Sequence, residues 1–170
     1  MKNVIKFILI TLLFSSCTVE KENRILKSTD LESRKTEISN FDDLIHGKSY
    51  LSVYSHIYHS YANQIFDLTI TISIRNVSIT DTIYILKADY FNTDGDNIRQ
   101  YIQKPIYIKP METVEIIIAE KDKEGGSGAN FVFDWAVKND INLPLFEAVM
   151  ISTYGDQGLS FLTRGVQIFE

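Results

Sequence analysis

The sequence predicts an all-β domain, an antiparallel β-sandwich of the immunoglobulin or fibronectin kind, with a small closed β-barrel as the alternative. Three observations carry this reading. Residues 66–75 alternate without a fault, Phe66, Leu68, Ile70, Ile72 and Ile74 on one face and Asp67, Thr69, Thr71, Ser73 and Arg75 on the other. That is the period of two of a strand with one buried and one wet face. Eight further segments, 50–58, 82–91, 97–103, 106–108, 113–119, 130–137, 146–153 and 159–169, the last with a break near Gly165, read in the same way. Turn chemistry separates several of them, at Asn92 to Asn97, Lys109-Pro110, Asn142 to Pro144 and Gly155 to Gly158. Short strands at close spacing, with no convincing helix between them, assemble as sandwiches or barrels.

Before the strands come two segments of different character. Met1-Lys2-Asn3 and Lys6 give a short basic start, and Val4 to Phe14 is an apolar run broken by Lys6 and Thr11, followed by Ser15, Ser16 and Cys17. A basic start, an apolar stretch too short to span a bilayer and small residues at its end read as a secretory signal over residues 1–16. Leu13-Phe14-Ser15-Ser16-Cys17 resembles a bacterial lipobox, with Phe14 where leucine is more usual. Cys17 is the sole cysteine of the 170 residues, so no intrachain disulfide forms, and the expected fate of its thiol is acylation. Two or three acyl chains hold a protein on a membrane where one alone binds marginally, each buried CH₂ adding roughly 0.8 kcal/mol.

Residues 17–47 are polar and charged, without strand alternation, and read as a lipidated N-terminus and tether of low helical content. As coil it would span roughly 30 Å. The folded domain is expected over residues 48–170, long enough to bury a core containing Trp135 and several of the ten phenylalanines and nine tyrosines. The net charge is −5, and loss of Lys2 and Lys6 with the leader takes it to −7. An acidic domain lacks the electrostatic footprint of a nucleic-acid binder.

The densest glycine cluster, Gly125-Gly126-Ser127-Gly128-Ala129-Asn130, leads into Phe131 and Trp135. Its G-x-S-x-A spacing is near that of a nucleophile elbow, but the elbow needs a strand before it and a helix after it, and a strand follows here. His46, His56 and His59 all precede Ser127, against the serine-to-histidine order of α/β-hydrolases. A P-loop fails for want of a lysine and a following helix. A loop between strands, flanked by the charged run Glu120 to Glu124, and a backbone nest for a small anion remain. Gly125, Gly126, Ser127, Gly128 and Asn130 are the candidate ligand or partner contacts.

Other constellations are weaker. Asp94-Gly95-Asp96-Asn97 has calcium-friendly side chains but not the EF-hand spacing, and a hairpin turn explains Asp-Gly. His56 and His59 fall on opposite faces of a strand unless a bulge intervenes, so no metal is expected there. Arg75, Arg99 and Arg164 sit near strand ends, where surface exposure or pairing with a carboxylate would explain each. Asn76-Val77-Ser78 matches a glycosylation sequon.

Tyr54 to Tyr58, Ser73 to Asn76, Gly125 to Phe131, Glu147 to Ile151, Gly158 to Phe161 and Thr163-Arg164-Gly165 together resemble a bacterial secreted family, the domain of unknown function 3124. The resemblance covers roughly residues 48 to 168, and the glycine motif and Thr-Arg-Gly are its most specific parts. The family carries no known activity, so the resemblance implies domain boundaries and an envelope location and says nothing about catalysis.

The expectation is a bacterial envelope lipoprotein, palmitoylated or similarly acylated at Cys17, with the periplasmic side of the outer membrane favoured. Its sandwich would bind a small ligand or an envelope protein; no nucleic acid and no cofactor are expected. One alternative is a hydrolase using fold-assembled carboxylates such as Asp134 and Glu147. Another is a calcium-stabilised adhesin-like module.

Overall fold

The computed structural model describes residues 30–154 and 157–169. Two short 3₁₀ turns, Glu32–Arg34 and Phe41–Asp43, precede twelve strands. These are β1 (Ile45–Ser52), β2 (His56–His59), β3 (Tyr61–Asp67), β4 (Thr69–Arg75), β5 (Ile83–Phe91), β6 (Asn97–Ile102), β7 (Ile106–Ile108), β8 (Thr113–Ile118), β9 (Asn130–Val137), β10 (Leu145–Tyr154), β11 (Gln157–Arg164) and β12 (Val166–Ile168). All recorded pairings are antiparallel.

A six-stranded sheet runs β12-β1-β9-β5-β6, with β7 pairing β5 beside β6; a four-stranded sheet runs β11-β10-β4-β8. Neither order closes on itself, so the barrel alternative is not adopted. In chain order β1, β4, β5, β8, β9 and β10 alternate between the two sheets. The sandwich is therefore stitched by crossovers, and each sheet is complete only when distant parts of the chain have met.

Alternation decides which side chains fill the space between the sheets. Ile70, Ile72 and Ile74 of β4 face inward with Val114, Ile116 and Ile118 of β8 and Phe146, Ala148 and Met150 of β10. From the other sheet come Leu51, Ile83, Ile85, Phe131, Phe133 and Trp135. Phe133 of β9 stacks on Phe146 of β10 with ring centroids 4.3 Å apart, joining the layers. Trp135 is sealed in, and its Nε1–H donates to the buried Ser49 hydroxyl at 3.0 Å. A buried indole needs such a partner.

Three readings change. The chain from 50 to 58 is two strands: β1 begins at Ile45, and the chain leaves it at Val53 to enter a separate two-stranded hairpin, β2–β3, that turns at Ser60 (φ 57°). The faultless alternation of 66–75 spans the end of β3 and all of β4, because Leu68 continues the buried face through the break. The polar stretch before 48 is not free along its whole length. Leu31 packs on the core, Thr36 N–H donates to Pro105 O at 2.9 Å, and Arg34 Nη2 meets Glu112 Oε1 at 2.7 Å. From Leu31 onward this stretch belongs to the domain, because one leucine and one arginine find partners that apolar periodicity does not reveal.

The Arg34 guanidinium holds the Glu112 carboxyl below the ordinary range, and the Lys109 N–H donated to its other oxygen at 2.9 Å acts in the same sense. A carboxyl depressed in the folded state contributes stability that is complete above its unfolded pKa of about 4.3. That contribution is lost as pH falls through the lower folded value. Acidification below about pH 4 should therefore undock residues 31–36 ahead of the sandwich. The Thr36 amide, followed by hydrogen exchange, should lose protection before the β4 and β9 amides. Glu112→Gln should reproduce that loss at neutral pH.

Candidate functional site

The glycine cluster is built into the end of the sandwich. It lies between β8 and β9, and the chain folds it back against the start of the β2–β3 hairpin and the turn after β5. Ser55 N–H donates to Gly126 O and Val53 N–H to Ala129 O, both at 2.9 Å. Thr93 N–H and Thr93 Oγ1–H both reach Gly125 O, at 3.0 and 3.1 Å, and Thr93 Oγ1 accepts from Gly128 N–H at 2.9 Å. The loop thus continues hydrogen bonding beyond the ends of the strands.

Gly125 is buried, and its lack of a side chain is a steric requirement. A Cβ there would lie 1.9 Å from the Tyr90 hydroxyl and 2.8 Å from Ser55 Oγ. Those two hydroxyls share a hydrogen bond of 3.1 Å, and both residues have no exposed surface. Burial pushes the Tyr90 phenol above its ordinary pKa, so it stays neutral and able to donate. Gly126 has φ +76°, the left-handed region that favours glycine, and a Cβ there would meet Thr93 Oγ1 at 2.4 Å.

The acidic run that follows β8 is clasped as well. Arg99 of β6 reaches Asp122 Oδ2 and Glu124 Oε2 at 2.7 Å each, and the Tyr101 hydroxyl at 2.7 Å. Its guanidinium carbon lies 5.5 Å from the Tyr101 ring centroid and 5.9 Å from that of Tyr90, within cation–π range. The hydrogen bond to Asp122 is the largest cause of a raised Arg99 pKa, so the guanidinium stays charged. From the other side Lys123 Nζ meets Asp67 Oδ2 at 2.7 Å. The run is tied down by β6 of the six-stranded sheet on one side and by the β2–β3 hairpin on the other.

These facts sort the five candidate contacts. Gly125 is interior. Gly126 and Gly128 spend their N–H groups on Lys123 O and Thr93 Oγ1, which removes the nest reading. Ser127 and Asn130 remain half-buried at the rim. Ser55, Tyr90 and Thr93 were not singled out by the sequence. Arg99 was, as an arginine awaiting a carboxylate, and it has two.

The other constellations resolve on geometry. Asn92 Oδ1 accepts from Asp94 N–H and Asp96 N–H at 3.0 and 2.8 Å, and Gly95 has φ +86°, so side chain and backbone close the hairpin turn. A bulge does separate Tyr58 from His59, yet His59 stacks on Phe66 at 4.1 Å. Among the described residues no three His, Cys, Asp or Glu side chains gather at metal-binding distance. Asn76 is buried, donating to Asp81 O and Ile108 O and accepting from Ser78 N–H, which leaves no room for a glycan. Asp134 and Glu147 do not come together. Asp134 lies on the outer face of the six-stranded sheet, while Glu147 lies on the opposite outside and pairs with Arg75 at 3.1 Å.

With the loop absorbed by the fold, the outer faces are what remains. On the six-stranded sheet an open groove of about 440 Å³ is lined by His46, Lys48, Leu86, Asp134, Gln167, Ile168 and Phe169, with Gly47 and Trp135 beneath. On the four-stranded sheet Ile117 of β8, Thr71 of β4, Val149 of β10 and Leu162 of β11 stand in one register row. Ile117 is 52%, Val149 43% and Leu162 62% exposed. The row is an apolar band open to solvent.

Gly125→Ala should lower stability by about 2–3 kcal/mol, the overpacking cost of a methyl placed against a fixed hydroxyl. Gly158→Ala, where an added Cβ meets nothing within 4 Å, serves as the control and should move the urea midpoint little. Equal midpoints for the two variants would show that Gly125 is not sterically held.

A family profile described as protein of unknown function (DUF3124) matches residues 46–168. No curated protein matches the chain. Among solved structures, the crystal structure of Thermotoga maritima 1070 aligns with 71% of this chain and 92% of that one, at 11% identity and a TM-score of 0.44. The profile match runs from β1 through β12 and takes in the glycine loop, its Tyr90 and Thr93 anchors and Arg99: the chain belongs to the DUF3124 family.

Proposed function

We propose that this protein is a lipid-anchored bacterial envelope protein whose β-sandwich is a non-catalytic binding module. Anchoring rests on Leu13-Phe14-Ser15-Ser16-Cys17, which lies outside the described residues. Among the described residues no helix is long and apolar enough to cross a membrane. Acylation of Cys17 would attach the chain to the membrane, with the periplasmic side of the outer membrane favoured.

The observation that carries the binding reading is the outer surface of the sandwich. It offers a groove of about 440 Å³ on one sheet and an exposed apolar row on the other. Grooves of this size with a few polar groups suit small ligands, and exposed apolar patches suit partners. The carboxylates proposed for hydrolysis stand on opposite outsides of the sandwich, which favours binding over catalysis. Loops on a rigid scaffold often carry function, but here the most distinctive loop is committed to holding the scaffold together.

Cys17→Ala should release the protein from the membrane fraction of a bacterial host into the soluble envelope fraction. Metabolic labelling with a palmitate analogue should mark the wild-type chain and miss the variant. Retention of the unlabelled variant on membranes would overturn the anchor.

A further inference from the structure

β11 ends at Arg164 and β12 begins at Val166, and Gly165 between them carries the chain from the four-stranded sheet to the six-stranded one. The crossing is pinned on both sides of Arg164. Thr163 Oγ1–H donates to Ser52 O at 2.6 Å, and Gly165 N–H donates to Phe146 O at 2.8 Å. A Cβ on Gly165 would lie 3.0 Å from Phe146 Cβ. The fold thus accounts for Thr163 and Gly165, but not for Arg164. Its direct cross-strand neighbour Glu147 accepts from Arg75 Nε at 3.1 Å instead. Arg164 itself makes no hydrogen bond or ion pair with any described residue.

Arg164 lines a cavity of about 240 Å³ to which both sheets contribute. The walls are mostly apolar, with Trp135 of β9, Phe146 of β10, and Leu143 and Pro144 just before β10. Ser49 of β1 and Gln167 of β12, partners in register, also line it. Ser49 is buried, and its oxygen accepts from Trp135 Nε1–H. A hydroxyl can donate as well as accept, and the Ser49 proton has no acceptor among the described residues. No described carboxylate lines the cavity. An exposed guanidinium and an interior hydroxyl proton are therefore both left without an acceptor in a space otherwise walled by rings and aliphatic groups.

The volume lies below the roughly 300–1,000 Å³ of sites for drug-sized molecules, so a fitting occupant is small. An exposed ion pair contributes little by itself, and an inorganic anion would find nothing further to bind. Affinity here must come from apolar area removed from water. A neutral apolar molecule would leave the guanidinium unanswered. The planar donor fork of arginine matches a carboxylate, and a carboxylate on an apolar body satisfies mouth and walls at once.

We propose that this cavity binds a small monocarboxylic acid with an apolar chain or ring, its carboxylate on Arg164 and its body against Trp135 and Phe146. The proposal rests on reading the sandwich as a binding module. The test is titration of the purified full chain with hexanoate and 3-phenylpropionate, followed by calorimetry and by the emission of Trp135, the sole tryptophan. Hexanamide and 3-phenylpropionamide, which lack the charge, and inorganic phosphate, which lacks the apolar body, serve as controls.

At least one acid should bind saturably and shift the Trp135 emission, with its amide and phosphate each weaker by about 10-fold or more, a difference of about 1.4 kcal/mol. Arg164→Gln should bring the acid down to the level of its amide, and Arg164→Lys should restore part of the difference. No saturable binding of either acid up to about 10 mM, equal binding of acid and amide, or undiminished binding by Arg164→Gln would overturn the proposal. The comparison of acid with amide on the wild-type chain decides even if a variant fails to fold. If neither acid binds but the wild-type chain still retains a specific partner from native envelopes, the ligand assignment falls and the binding-module reading stands. If neither binds, both fall.

Discussion

A tyrosine hydroxyl sealed inside a sandwich must find a hydrogen-bonding partner, because a buried, unsatisfied polar group costs more than the bond itself contributes. Tyr90 finds Ser55, and the pair is roofed by Gly125 at a distance that no side chain could tolerate. Much of this end of the molecule follows from that requirement. Tyr90 stacks on Phe131 at 4.8 Å, Phe131 on Phe133 at 5.5 Å, and Phe133 on Phe146 of the other sheet. The aromatic column thus begins at a polar cap. Ser55 can sit there only because the chain leaves β1 and turns into the hairpin, with Leu68 N–H donating to Ser55 O at 2.9 Å.

The clasp around Arg99 extends the same logic outward. Its guanidinium satisfies Asp122, Glu124 and the Tyr101 hydroxyl together while lying near two tyrosine rings. Arginine suits this role because its planar donors can serve several acceptors at once. Such partly exposed pairs contribute modestly one by one. Several converging on a segment that also roofs a buried hydroxyl fix its position. The acidic run is thereby converted from a solvated linker into a lid on the aromatic column, and candidate binding chemistry moves to the outer faces of the sheets.

Much of the fold was legible in the sequence. β7 and β9 have the bounds that alternation suggests, and β5, β6, β8 and β10 differ only at their ends, because each has one apolar face. β3 was missed because Tyr61 to Ile65 is exposed throughout and carries no burial signal. The docking of Leu31 and Arg34 was missed because two anchoring side chains leave no periodic trace. The glycine loop was visible as a feature, but its role depended on Tyr90, Ser55 and Thr93, which approach it from 32 to 70 residues away. Spacing along the chain cannot report such contacts. The groove is equally nonlocal: Lys48, Leu86, Asp134 and Ile168 meet only after four strands have paired.

Whether the glycine loop is part of the core or a mobile contact surface is measured most directly by native-state hydrogen exchange at three amides, Val53, Ser55 and Thr93. Each donates to a carbonyl of the loop. If the loop closes the sandwich, these amides exchange only with global unfolding, at the protection of the β4 and β9 interior. Exchange at the rate of an open surface loop, with β4 and β9 still protected, would contradict the central claim and return residues 125–130 to the role of a free binding loop.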